Sequence, residues 1–194
     1  MSIYTLTINN HSDSSHESFV IFQENEKAPR DIATVGKVFR PFDNGMTHQF
    51  EFSNDFEIAF KDSWGNFTAR RKVEYGKQYA IVVCPEGSKI VEKETITENL
   101  DCFEMKNDFT TGYVDCMVYR SGLLFAEFKE LGPNRKTVFS FKPNIYIGMA
   151  SGLKEGDPIN TDANYTLFNL EGIKAAEINY TDGMFDLVIL KRCD

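Results

Sequence analysis

"IYTLTINNHSDSSHESFVIFQ", residues 3–23, is the stretch whose reading decides the fold class. Tyr4, Leu6 and Ile8 point one way while Thr5 and Thr7 point the other, the period-two signature of a half-buried strand. A polar loop follows, and the continuous apolar run "SFVIFQ" then reads as a second strand. The segment is expected to be a hairpin with a long loop. His11 and His16 lie in that loop among serines, which raises the question of a site.

The same alternation continues outward. "THQFEF" sets His48, Phe50 and Phe52 on one face, and "FEIAF" does the same with Phe56, Ile58 and Phe60. The intervening "SND" is turn chemistry, so residues 47–60 read as a second hairpin. "YAIVV" stops at Cys84-Pro85, where proline removes a ladder donor. Strand-like runs flank Ser121-Gly122 and Thr181-Asp182-Gly183, and Asp-Gly is a strong hairpin signal. "NIYIGMA" follows Pro143 as a further strand. Helical spacing is confined to Ile96, Leu100 and Phe103, and to "LLFAEFKEL" before Gly132-Pro133, where the preceding turn favours strand. The charged stretch 86–108 is the least strand-like and is the expected excursion from the sheet. The pattern predicts an all-β chain, an antiparallel β-sandwich or flattened barrel with at most one or two short helices. Residues 1–194 are expected to form a single β-sandwich domain.

Composition narrows the partners. With 21 basic and 29 acidic residues the net charge is −8, which opposes phosphate backbones and anionic lipid, so no nucleic-acid partner is expected. The concentrated basic run Arg70, Arg71 and Lys72 is short and is followed closely by Glu74. No apolar run approaches the ~18 residues of a membrane helix, and no basic-then-apolar leader opens the chain. The expectation is a soluble protein without a membrane span, cytoplasmic or exported without a recognisable N-terminal signal. The cysteines at 84, 102, 116 and 193 form no CxxC pair and are expected to be free thiols. Cys116, inside "YVDCMVY", reads as a small buried hydrophobe.

Chemistry-bearing patterns are sparse. A Ser/His/Asp hydrolase could draw on His11 and His16, yet no GxSxG elbow holds a nucleophile. His48, alternating with phenylalanines, reads as a hydrogen-bonded core residue. No short-spaced His and Cys ligands suit zinc, and "GMASGLKEGD" reads as a strand turn rather than a phosphate loop. "EGDPINTDAN" offers Glu155, Asp157, Asp162 and Asn164 as oxygen ligands, with Asp157 and Asp162 the leading candidates for a calcium site. The turn at 43–45 is a second acidic turn of this kind. The single tryptophan, Trp64, lies in the turn "DSWGN". An aromatic ring in a loop stacks on a sugar or folds back over the core. Tyr146 and Tyr165 are its candidate companions in a ligand site.

Two segments carry a likeness to a known family. Tyr4, Thr5, Leu6, Asn9, Asn10, Ser12, Phe19, Phe22 and Gln23 resemble the opening of the RhiA-like (rhizosphere-induced) bacterial proteins, a strand, an "NNS"-like turn and a strand ending near "FQ". "FSFKPNIYIGMASGLKEGD", residues 139–157, is similar to that family's later Pro-then-aromatic strand with its glycine. The resemblance implies a bacterial, β-rich protein under community regulation. It brings no catalytic residues.

The functional expectation is a non-enzymatic binding module for a carbohydrate or other small ligand, with no cofactor evident apart from calcium. Two alternatives stand beside it. One is a self-associating structural or inclusion-type protein, because Phe-rich strands leave edges that can pair. The other is a hydrolase whose site is dispersed over several loops.

Overall fold

A computed structural model describes residues 3–12, 18–27, 32–40, 43–53, 55–97, 99–161 and 163–193, and of Ile32, Phe52, Thr95 and Ile96 the backbone alone. Among the described residues there are seventeen strands and no helix. In chain order they are β1 (Ile3–Asn10), β2 (Ser18–Phe22), β3 (Ile32–Ala33), β4 (Lys37–Phe39), β5 (Thr47–Ser53), β6 (Phe56–Asp62), β7 (Arg71–Lys72), β8 (Lys77–Cys84) and β9 (Gly87–Ile96). There follow β10 (Phe103–Asn107), β11 (Val114–Arg120), β12 (Leu123–Leu131), β13 (Lys136–Phe139), β14 (Asn144–Ala150), β15 (Thr166–Asn169), β16 (Ile173–Thr181) and β17 (Met184–Arg192). No helix is long and apolar enough to cross a membrane among these residues.

The strands form four sheets, none closed into a barrel, and the contacts divide them between two compact units. Unit 1 comprises Met1–Gln23, Thr34–Asn54 and Lys142–Asp194; unit 2 comprises Glu24–Ala33 and Asp55–Phe141. Unit 1 holds the sheets β17-β16-β1-β5 and β15-β14-β2-β4. Leu6 and Ile8 of β1 and Ile178 of β16 pack against Phe19 and Ile21 of β2 and Ile145 and Ile147 of β14. Unit 2 holds β3-β12-β11-β6-β7 and β13-β10-β8-β9, with Ile58, Phe60, Cys116 and Val118 packed against Tyr79, Ile81, Phe103 and Phe139. Each unit thus buries the inner faces of two sheets on one another, the sandwich solution to half-apolar strands. Cys116 is fully buried in the second core, as its surroundings predicted. Cys84, Cys102, Cys116 and Cys193 are all free thiols.

Two hairpins fall where the turn residues placed them. Ser121 and Gly122 join β11 to β12 with φ of 51° and 83°, and Asp182 and Gly183 join β16 to β17 with φ of 48° and 87°. Positive φ at both central residues matches the twist of the flanking strands.

The two hairpins expected first do not form. β1 pairs with β16 and β5, and β2 with β14 and β4. Their apolar sides meet across the core of unit 1 instead of lying side by side. Likewise β5 pairs with β1 in unit 1, whereas β6 pairs with β11 and β7 in unit 2. "SND" therefore carries the chain from one unit to the other. The pairs β1·β16 and β8·β10 are parallel, so two of the four sheets are mixed rather than fully antiparallel. Most of residues 86–108 belong to a sheet rather than to an excursion from one. They supply β9, an edge strand, and β10, an inner one, and the Ile96, Leu100, Phe103 spacing is not helical.

The "NNHS" segment is a knot of the first sheet. Asn10 is fully buried, its amide donating to Met46 O at 3.0 Å and its Oδ1 accepting the Ser12 amide at 2.9 Å. Asn9 Nδ2 donates to Asn179 Oδ1 at 2.9 Å, and the Thr47 hydroxyl donates to Asn9 Oδ1 at 2.8 Å. Asparagine recurs here because its side chain both donates and accepts where strand ends need partners.

Candidate functional site

The site is built at one end of unit 2. β6 ends at Asp62, and the chain turns back through residues 63–66 to Phe67, which bridges Lys61. Asp62 organises the turn. Its Oδ1 accepts the amides of Trp64 at 2.9 Å and Asn66 at 2.8 Å, and its Oδ2 accepts Asn66 Nδ2 at 3.0 Å. The Gly65 amide donates to the Asp62 carbonyl at 3.0 Å, and the Asp62 amide to Asn66 O at 2.9 Å. Desolvation pushes the Asp62 carboxyl up, but the bonds from Asn66, Trp64 and Gly65 outweigh it and hold the group below its ordinary value. The loop is closed on itself, and Trp64 stands out of it with 82% of its surface exposed.

Trp64 forms one side of a groove of about 630 Å³ completed by Val82, Val83, Ser88, Asp108, Phe109, Thr110 and Thr111. Val83 lies opposite Ser88 in the β8·β9 ladder and is itself 73% exposed. The lining segment 108–111 is held by Asn107, the fully buried last residue of β10. Asn107 Nδ2 donates to Gly112 O at 3.0 Å and to Leu131 O at 2.9 Å, and its Oδ1 accepts the Phe109 amide at 3.0 Å. Two side-chain-closed turns, on Asp62 and on Asn107, therefore supply lining residues of the groove.

Asp108 is the charged group of the lining. Lys93 and Lys106 approach its two oxygens at 2.6 and 2.7 Å. Desolvation raises the carboxyl, but the bonds and charges of Lys106 and Lys93 prevail, so it stays below its ordinary value. A carboxylate held down in this way is a weak base that stays ionised, and each oxygen keeps a lone pair beyond its lysine partner that can accept a hydrogen bond. The lining thus offers an indole face, apolar Val82, Val83 and Phe109, a fixed anion and the hydroxyls of Ser88, Thr110 and Thr111.

The residues nominated from sequence are divided. Trp64 is in unit 2, while Tyr146 and Tyr165 are in unit 1 and both lie against Phe22, stacked at 5.0 Å and edge-on at 4.8 Å between ring centroids. Tyr165 also covers Gly148. Asp157 Oδ2 accepts the Lys154 amide at 2.7 Å, closing its own turn, and Glu155 meets Lys37 at 3.0 Å. Asp162 and His16 lie outside the described residues. Among the described residues no three His, Cys, Asp or Glu side chains gather as metal ligands. His11 donates its amide to Tyr180 O at 2.8 Å, and the His48 ring lies 5.4 Å from that of Phe39, both in unit 1. Sequence reading overlooked Asn107, Asp108 and the two threonines, although "NDFTTG" after a strand is a turn signature.

Comparison with family models, with curated proteins and with solved structures returned no match.

Proposed function

We propose that this chain is a non-enzymatic binding protein whose groove beside Trp64 takes a carbohydrate. The observation that carries the reading is the presentation of Trp64. A large apolar ring is exposed to 82% at the tip of a loop locked by its own carboxylate, next to a groove lined with hydroxyls and an acceptor anion. Sugars combine an apolar C–H face with a rim of hydroxyls, and this pairing of stacking surface and acceptors is complementary to both. Support for binding rather than reaction comes from Asp108, whose lysine partners keep it ionised and weakly basic.

The test is direct because Trp64 is the single tryptophan. A glycan array should return a restricted set of ligands. Titration with one of them should shift the indole emission, and Trp64→Ala should abolish binding on the array while leaving the circular dichroism spectrum unchanged. An array without hits, or binding that persists in Trp64→Ala, would overturn the reading.

A further inference from the structure

The eight sheet edges of the two sandwiches are not alike. β3 and β7 are two residues long, β4 three, and β13 and β15 four. β9 is long, but its exposed positions include Lys89, Glu92 and Glu94, and β5 exposes Thr47, Gln49 and Glu51. Short length and charge are the usual ways in which an edge is kept from pairing. β17 differs. It runs for nine residues, and among the described residues β16 is its only ladder partner. On the side away from the core it exposes Met184 at 72% and Val188 at 41%. A register shift against β16 leaves Leu190 without a partner there, 56% exposed.

The order of charges along this strand selects an occupant. "MFDLVILKR" carries its acid, Asp186, near the start and its bases, Lys191 and Arg192, at the end, with Val188, Ile189 and Leu190 between. Laid against itself antiparallel, the strand sets acid toward base at both ends and valine and leucine together at the centre. A parallel neighbour would instead align like with like. The arrangement is self-complementary under a twofold axis, the requirement for an isologous dimer.

We infer that β17 is an interaction surface for a second copy of this chain, joined edge to edge by antiparallel strand addition. The inference is independent of the Trp64 groove, which belongs to the other unit.

Sedimentation equilibrium over a concentration series tests it, with circular dichroism and the urea midpoint confirming that each variant is folded. The wild-type chain should dimerise, and amide exchange along residues 184–192 should slow as concentration rises. Val188→Lys should shift the midpoint of dimerisation at least tenfold upward. Asp186→Lys alone and the pair Lys191→Glu with Arg192→Glu alone should each be monomeric, because like charges then face each other. An equimolar mixture of these two variants should restore a dimer. A wild-type chain that stays monomeric up to about 1 mM, or a dimer indifferent to Val188→Lys and to the charge exchange, overturns the inference.

Discussion

The main-chain amide of Trp64 donates to Asp62 Oδ1 over 2.9 Å, so a carboxylate two residues earlier sets how the indole is presented. Asp62→Ala removes three bonds from the loop at once. The fluorescence anisotropy of Trp64 should fall and its quenching by acrylamide should rise.

The same bonds make the loop pH-sensitive in one direction. The Asp62 carboxyl is held below its ordinary value of 3.8, so the ordering is fully present above that value and is lost as pH falls through the lowered one. Trp64 anisotropy should be flat from neutrality down to roughly pH 4 and decline only beneath it. Asp62→Asn, which still accepts a hydrogen bond and cannot titrate there, should flatten that decline.

Trp64 also separates a platform from a plug. A tryptophan folded over the core would lose about 3–5 kcal/mol on truncation. At 82% exposure, Trp64→Ala should leave the urea midpoint nearly unmoved while carbohydrate binding disappears.

Asn107 answers in the opposite sense. Its side chain serves two carbonyls and one amide in a fully buried position. Asn107→Ala strands these groups and should cost roughly 3 kcal/mol in urea unfolding, since each buried unsatisfied group is worth about 1–3 kcal/mol. Ligand affinity should weaken as well, because residues 108–111 lose their anchor.

Gly148 leaves no room for a methyl group. A Cβ there would lie 2.9 Å from Tyr165 Cε1 and closer still to Cδ1. Gly148→Ala should destabilise by about 1–3 kcal/mol through overpacking. Combining it with Tyr165→Ala should recover part of that loss, a coupling measurable in a double-mutant cycle.

Sequence alone identified faces and turns far better than neighbours. Alternation at Tyr4, Leu6 and Ile8 marks which side of β1 is buried, and the buried side is the one foreseen. It contains nothing about which strand lies alongside: the alternation points to a β1–β2 hairpin, whereas the ladders of β1 run to β5 and β16. Turns that carry their own geometry, Ser121-Gly122 and Asp182-Gly183, fixed their hairpins because two residues suffice to set the chain reversal. β9 escaped notice for a physical reason. An edge strand facing water through Lys89, Glu92 and Glu94 has the composition of a loop. The groove was half legible: Trp64 stood out, but Val83 and Ser88 belong to the β8·β9 hairpin and Asp108 follows β10, all in a sheet other than that of β6, and no local pattern links them to Trp64.

The interleaving of the two units has a consequence for biosynthesis. Leu6 is aligned with Ala176 in the parallel pair of β1 and β16, so the first strand of unit 1 waits for one of the last to be made. Unit 2 is complete once Phe141 has left the ribosome. At ~5–20 residues per second, the segment from Lys142 through β16 takes several seconds more to translate. During that interval β1 has β5 beside it but lacks its β16 neighbour, and Asn9 lacks the Asn179 side chain that it bonds. Unit 2 therefore matures first, and a ribosome pause placed after Phe141 would lengthen the exposure of β1 without touching a single contact in the finished protein.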